Sequence, residues 1–134
     1  MKTLKITYKS LQVIMFFIIM LAGSQFANAQ NAGSLKNVTP EQLGQAQTIM
    51  MKTKLNLDSI QVKSIEKINL NYAGKLINLR NNGGRPLAKA REAMSLEQQK
   101  DKEVKGVLNP TQYSQYQQMR EENKQNALNY MSSH

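Results

Sequence analysis

Between residues 40 and 130, apolar side chains return every three or four positions, the spacing of one face of an α-helix. Leu43, Ala46, Ile49 and Met50 mark a first helix over residues 40–54. Val62, Ile65, Ile68, Tyr72, Leu76 and Leu79 mark a second, with Asn69 sharing the position of Ile68. It reaches residue 80 and spans roughly 30 Å. A third, over residues 87–108, carries a weaker stripe of Leu87, Ala90, Met94, Val104 and Leu108 into which Asp101 intrudes. Its remaining positions mix Glu92, Glu97 and Glu103 with Lys100, Lys102 and Lys105, as in a helix that is wet along one side. Tyr113, Tyr116, Met119, Leu128 and Tyr130 mark the last. No apolar–polar alternation reaches the length of a strand. The pattern therefore predicts one all-α domain over residues 39–130, with about four helices and a frayed end at 131–134.

Three of the helix starts share one chemistry. Each has an aliphatic residue, a capping residue, two variable positions and a glutamine: Val38-Thr39-Pro40-Glu41-Gln42, Leu57-Asp58-Ser59-Ile60-Gln61 and Leu108-Asn109-Pro110-Thr111-Gln112. The side chains of Thr39, Asp58 and Asn109 can accept from the backbone N–H three residues on. Gln42, Gln61 and Gln112 can reach back to the capping residue's own N–H, closing a capping box behind an apolar staple. Pro40 and Pro110 fall where a missing N–H costs nothing. Between the second and third helices, Asn81-Asn82-Gly83-Gly84 supplies residues that tolerate positive φ, so the chain can reverse there before Pro86 opens the next helix.

The N-terminus changes how the composition is read. Lys2, Lys5 and Lys9 precede an unbroken apolar run at residues 13–22, and Ala27-Asn28-Ala29 fits a small-x-small cleavage site. The run is half the roughly 20 residues a membrane-spanning helix needs. Residues 1–29 are expected to be a cleaved signal peptide and residues 30–38 a polar, disordered arm. The exported chain would then lie in the periplasm of a Gram-negative envelope, with no stable membrane insertion. The chain has no cysteine, which excludes a lipoprotein anchor, disulfides and thiol chemistry. All three phenylalanines fall in the signal, and there is no tryptophan. So thin a store of large apolar groups suits an elongated helical layer completed by a second subunit better than a compact globule. Removing three lysines takes the formal charge from +9 to +6, which favours acidic partners.

That charge is concentrated. From residue 67 to residue 91 lie six basic side chains, Lys67, Lys75, Arg80, Arg85, Lys89 and Arg91, and no acidic one. A hairpin of helices two and three would gather them at one tip and along one face, a surface for steering acidic or non-native chains. The same run also suits a solvated loop and its flanks. Met50, Met51, Met94 and Met119 read as core filler or as an adaptable binding surface. Tyr113 and Tyr116 read as the ring pair that docks the last helix, or as a stacking surface for a partner. His134 is the only histidine, and no Ser/His/Asp set, phosphate loop or metal-ligand spacing can be assembled. The sequence thus offers no catalytic residues, no cofactor and no metal site. An exported location argues against nucleic acid as the partner of a basic helical chain.

Behind a signal peptide, the three glutamine-ended starts resemble the LTxxQ motif of the Spy/CpxP family of periplasmic helical proteins. Ile68-Asn69-Leu70-Asn71-Tyr72-Ala73-Gly74-Lys75, Arg91-Glu92-Ala93-Met94 and Val107 through Tyr113 extend the resemblance over roughly residues 39–125. Two copies depart from the motif, with Asp58 and Asn109 in place of threonine, though both still cap. The resemblance implies an elongated, bent helical hairpin with flanking helices, paired as a homodimer. It also implies an ATP-independent holdase of the envelope stress response that cradles unfolded or partly folded envelope proteins. The other activity it implies is a regulatory adaptor that binds the periplasmic domain of a sensor kinase. A structural protein of the cell surface is a third reading of the sequence.

Overall fold

The computed structural model describes residues 38–132, so the expected signal peptide and all of the arm except Val38 lie outside the described residues. Four helices follow one another: α1 (Pro40–Leu55), α2 (Ser59–Asn81), α3 (Pro86–Val107) and α4 (Pro110–Ser132), with no strand among the described residues. The fold is all-α, with α2 and α3 as the elongated hairpin and α1 and α4 flanking it. The helix α4 runs on through residues 131 and 132, where fraying was expected.

Each start forms as its residues dictate. Thr39 closes a capping box with Gln42, the two bonds measuring 3.0 and 3.2 Å. Val38 packs on the cluster that contains Leu43, so the arm's last residue acts as an apolar staple. Asp58 caps α2 through bonds to the Ile60 and Gln61 N–H groups. Asn109 caps α4, its Oδ1 accepting from the Gln112 N–H at 2.8 Å. The exception is α3, where Arg85 stands at the N-cap with no side-chain bond. Between α1 and α2 the chain turns through Asn56 at φ 50, a left-handed conformation that asparagine tolerates better than most residues. At the far tip Gly84 adopts φ 136, which a side chain would strain.

The expected stripe of α2 is the buried one: Ile65, Ile68, Asn69, Tyr72, Leu76 and Leu79 lie inside, and Val62 packs half-buried at its edge. The stripes of α1 and α3 depart from expectation in part, with Leu43, Ala90, Val104 and Leu108 buried as expected but the exposed positions shifted. Ile49 is 50% exposed, and Met51 with Leu43 and Leu55 takes the inner face of α1, together with Gln47 and Thr48. On α3, Leu87 is 41% and Met94 58% exposed, while Ala90, Ala93, Lys100 and Val104, with Leu108 at its C-cap, are buried. The reason is a polar seam. Thr48 Oγ1 donates to the Gly44 carbonyl and accepts from Asn69 Nδ2, and Lys100 Nζ donates to Gln47 Oε1 at 2.9 Å. Hydrogen bonding makes these polar groups tolerable inside, so the inner face is not the most apolar one. At Gly44, α1 meets α2 so closely that a Cβ would lie 2.9 Å from the Leu70 Cα.

Candidate functional site

The two ends of the α2–α3 hairpin have different chemistry. At one end the α1–α2 and α3–α4 turns meet, and the second and third capping boxes interlock. Gln61 Nε2 donates to Gln112 Oε1 at 2.7 Å and to the Val107 carbonyl at 3.2 Å. Gln112 Nε2 donates to Gln61 Oε1 at 3.0 Å and to the Leu55 carbonyl at 3.3 Å. Each Oε1 also accepts from its own capping residue, Asp58 or Asn109. Both amides thereby use all their donors and satisfy end carbonyls of the two preceding helices, which have no partner within those helices. These glutamines are structural, and Gln42, in the exposed first box, stands apart from the pair.

The other end is the basic tip. A groove of about 430 Å³ opens between the last turns of α2 and the first turns of α3. Leu79, Leu96 and Ala88 supply its apolar lining, Lys75 and Lys89 its positive charge, Asn78 and Asn82 its amides and Glu92 its one acid. Gly83 and Gly84 close its end. Lys75 Nζ stands 4.7 Å from the Tyr72 ring centroid. Tyr72 itself is anchored to α3 by donating to Glu103 Oε1 at 2.7 Å. Burial, with the Glu103 carboxylate beside it, pushes the Tyr72 hydroxyl up to about 12. Lys89 Nζ donates to the Arg80 carbonyl at 3.3 Å, tying the two sides of the tip together.

Of the six basic residues expected on one face, Lys75 and Lys89 line the groove. Lys67 lies two turns before Lys75 on α2, exposed and about 80° round the helix from it. Arg85 is exposed at the start of α3. Arg80 is half-buried and donates through Nε to Asn81 Oδ1 at 3.2 Å. Five positions after Lys75, it points about 140° away round the helix. Arg91, two positions after Lys89, points about 160° away. The tip is therefore ringed with positive charge instead of carrying it on one face. Asn78 was not singled out from the sequence, and Leu79 and Asn82 were read as core stripe and turn, although all three follow Lys75 at helical spacing. Leu96 and Glu92 do the same after Lys89.

Of the methionines, Met51 and Met119 are core, Met50 packs at its edge and Met94 is exposed. Tyr116 is core, with Tyr113 tilted against it at 6.3 Å. The side chains of Leu128 and Tyr130 lie outside those described. Among the described residues, no group of three or more His, Cys, Asp or Glu is placed to hold a metal ion. No described helix is long and apolar enough to cross a membrane.

Fold and tip together define a small all-α protein with a locked base and a basic, part-apolar groove at its far end. Residues 27–116 match the family described as a domain of unknown function (DUF4890), and the chain belongs to that family. The matched span covers α1, α2, α3 and the start of α4. Neither the comparison with curated proteins nor that with solved structures finds a match.

Proposed function

We propose that this protein is an ATP-independent holdase of the bacterial envelope, of the Spy/CpxP type, which takes hold of non-native chains at its basic tip. The observation that carries this reading is the pairing of Lys75 and Lys89 with the aliphatic side chains of Leu79 and Leu96 in one open groove. Long-range attraction from the ring of charge steers an acidic segment towards the tip, and the aliphatic lining then holds an apolar side chain. No nucleotide is needed, because release follows when the client folds and withdraws that side chain. Export by residues 1–29 places the chain where such clients emerge, and pairing of two subunits brings two tips to one client.

The small size of the groove also favours a second reading, an adaptor that grips one segment of one folded partner such as the periplasmic domain of a sensor kinase. One experiment separates the two. Purified protein is added at rising ratio, at two salt concentrations, to a chemically unfolded client diluted into buffer, and light scattering follows aggregation. Suppression near stoichiometric ratio that weakens with salt and on neutralising Lys75 and Lys89 supports the holdase. Absence of suppression by a folded, helical protein rules it out and leaves the adaptor.

A further inference from the structure

The apolar surface on view is scattered: Ile49, Ile60, Leu70, Leu87 and Met94 are spread over three helices. A broader one lies beneath α4. There Tyr116 and Met119 join the main core cluster with Met51 and Leu55 of α1 and with Val104 and Leu108, while Met50 and Tyr113 pack at its edge. Methionine-rich seams adapt to differently shaped side chains. Yet α4 is lightly attached. After its interlocked first turn, Tyr116 and Met119 are its buried side chains among those described, and residues 117, 118, 121, 122, 124 and 125 are exposed. Among the described residues, two hydrogen bonds from α4 to α3 end on one carboxylate, and the Lys105 ammonium of α3 stands 5.4 Å from the Tyr113 ring centroid. Tyr113 Oη donates to Asp101 Oδ2 at 2.9 Å and Arg120 Nη1 to Asp101 Oδ1 at 2.8 Å.

Next to that carboxylate in sequence, Lys100 is 3% exposed, and its ammonium donates to the neutral Gln47 Oε1. It belongs to neither of the ion pairs found among the described residues. Glu97, one turn earlier, attracts it from its own helix but leaves Oε1 buried without a bond, while Arg120 repels it from α4. Burial holds the Lys100 ammonium below its ordinary pKa. A charge enclosed with one neutral acceptor is costly, and the cost is relieved as soon as water reaches it.

We propose that α4 is a hinged cover, pinned at its first turn by the Gln61–Gln112 pair, latched at Asp101 and undercut by the enclosed Lys100. When it lifts, Met50, Met51, Leu55 and Val104 become a second, apolar docking surface for a non-native chain. The occupant rests on the client-binding reading given above; the motion does not. Hydrogen exchange read by mass spectrometry on the purified protein, with no client present, tests the motion alone. Peptides covering residues 113–125 are expected to exchange faster than those covering residues 65–79. Asp101→Asn, and Arg120→Gln from the other side, should speed the α4 peptides roughly tenfold, the effect of one lost charge-assisted hydrogen bond, and leave those of α2 unchanged. Lys100→Met should slow the α4 peptides. Equal exchange in α4 and α2, α4 peptides indifferent to both latch variants, or a Lys100→Met α4 that exchanges as fast as wild type would each overturn the cover. If exchange behaves as expected but Asp101→Asn does not increase aggregation suppression, the cover moves and the surface beneath it is not a client site.

Discussion

Replacing Gln112 by alanine tests whether the base of the molecule is held by the paired amides. The substitution removes four hydrogen bonds: those with the Asn109 N–H and the Leu55 carbonyl, and the two exchanged with Gln61. At about 1 kcal/mol net for each bond, the loss is about 4 kcal/mol. Freeing a buried glutamine side chain returns about 1 kcal/mol of entropy, leaving a destabilisation of about 3 kcal/mol. Gln42→Ala is the internal control, because Gln42 makes the same reach-back bond in an exposed box with no partner glutamine. It should cost only about 0.5–1 kcal/mol. Urea unfolding followed by helical circular dichroism gives both values. A double-mutant cycle sharpens the comparison. Gln61→Ala with Gln112→Ala should show a coupling of about 2 kcal/mol from the two shared bonds, whereas Gln42→Ala with Gln112→Ala should add independently. If Gln112→Ala costs no more than Gln42→Ala, or if the Gln61–Gln112 coupling is under about 0.5 kcal/mol, the reasoning is refuted.

Further outcomes follow from other parts of the fold. Gly44→Ala should destabilise by about 1–3 kcal/mol despite alanine's better helix propensity, because the new methyl meets the α2 backbone. Gly74→Ala and Gly106→Ala, which meet nothing, should each stabilise by up to about 1 kcal/mol in the same melts. The pH profile of stability should report Lys100. Its pKa is lower folded than unfolded, so stability grows as pH rises from the folded value towards the unfolded one. The urea midpoint of the wild type should therefore climb with pH through the mildly alkaline range, a climb that the Lys100→Met profile should lack. Above that window the sign reverses, because the Tyr72 hydroxyl is raised from 10.0 to about 12 in the fold, so stability falls as pH passes through that interval.

The helix count, the caps and the inner face of α2 were legible because each follows from local spacing. Those of α1 and α3 were legible only in part, at Leu43, Ala90, Val104 and Leu108, for a reason visible at Gln47 and Lys100. A polar residue at a core position reads as a gap in the stripe until a partner 53 residues away satisfies it. Ile49, Leu87 and Met94 then looked like the better inner positions on hydrophobicity alone. The basic run was legible as composition, but the groove depends on which turns of α2 and α3 stand opposite each other, and no local pattern states that pairing. The glutamines of the capping boxes were read as helix starts. Their mutual bond across 51 residues is a tertiary contact that repetition of the motif hints at and only the fold shows.

The holdase reading puts the non-native chain at the basic tip. Backbone amide shifts of the labelled protein, titrated with an unfolded acidic client, test it directly. The account predicts that the largest changes fall on Lys75, Leu79, Lys89 and Leu96, fade with added salt and are lost when both lysines are neutralised. Changes centred elsewhere, or no changes at client concentrations where aggregation is suppressed, would contradict it.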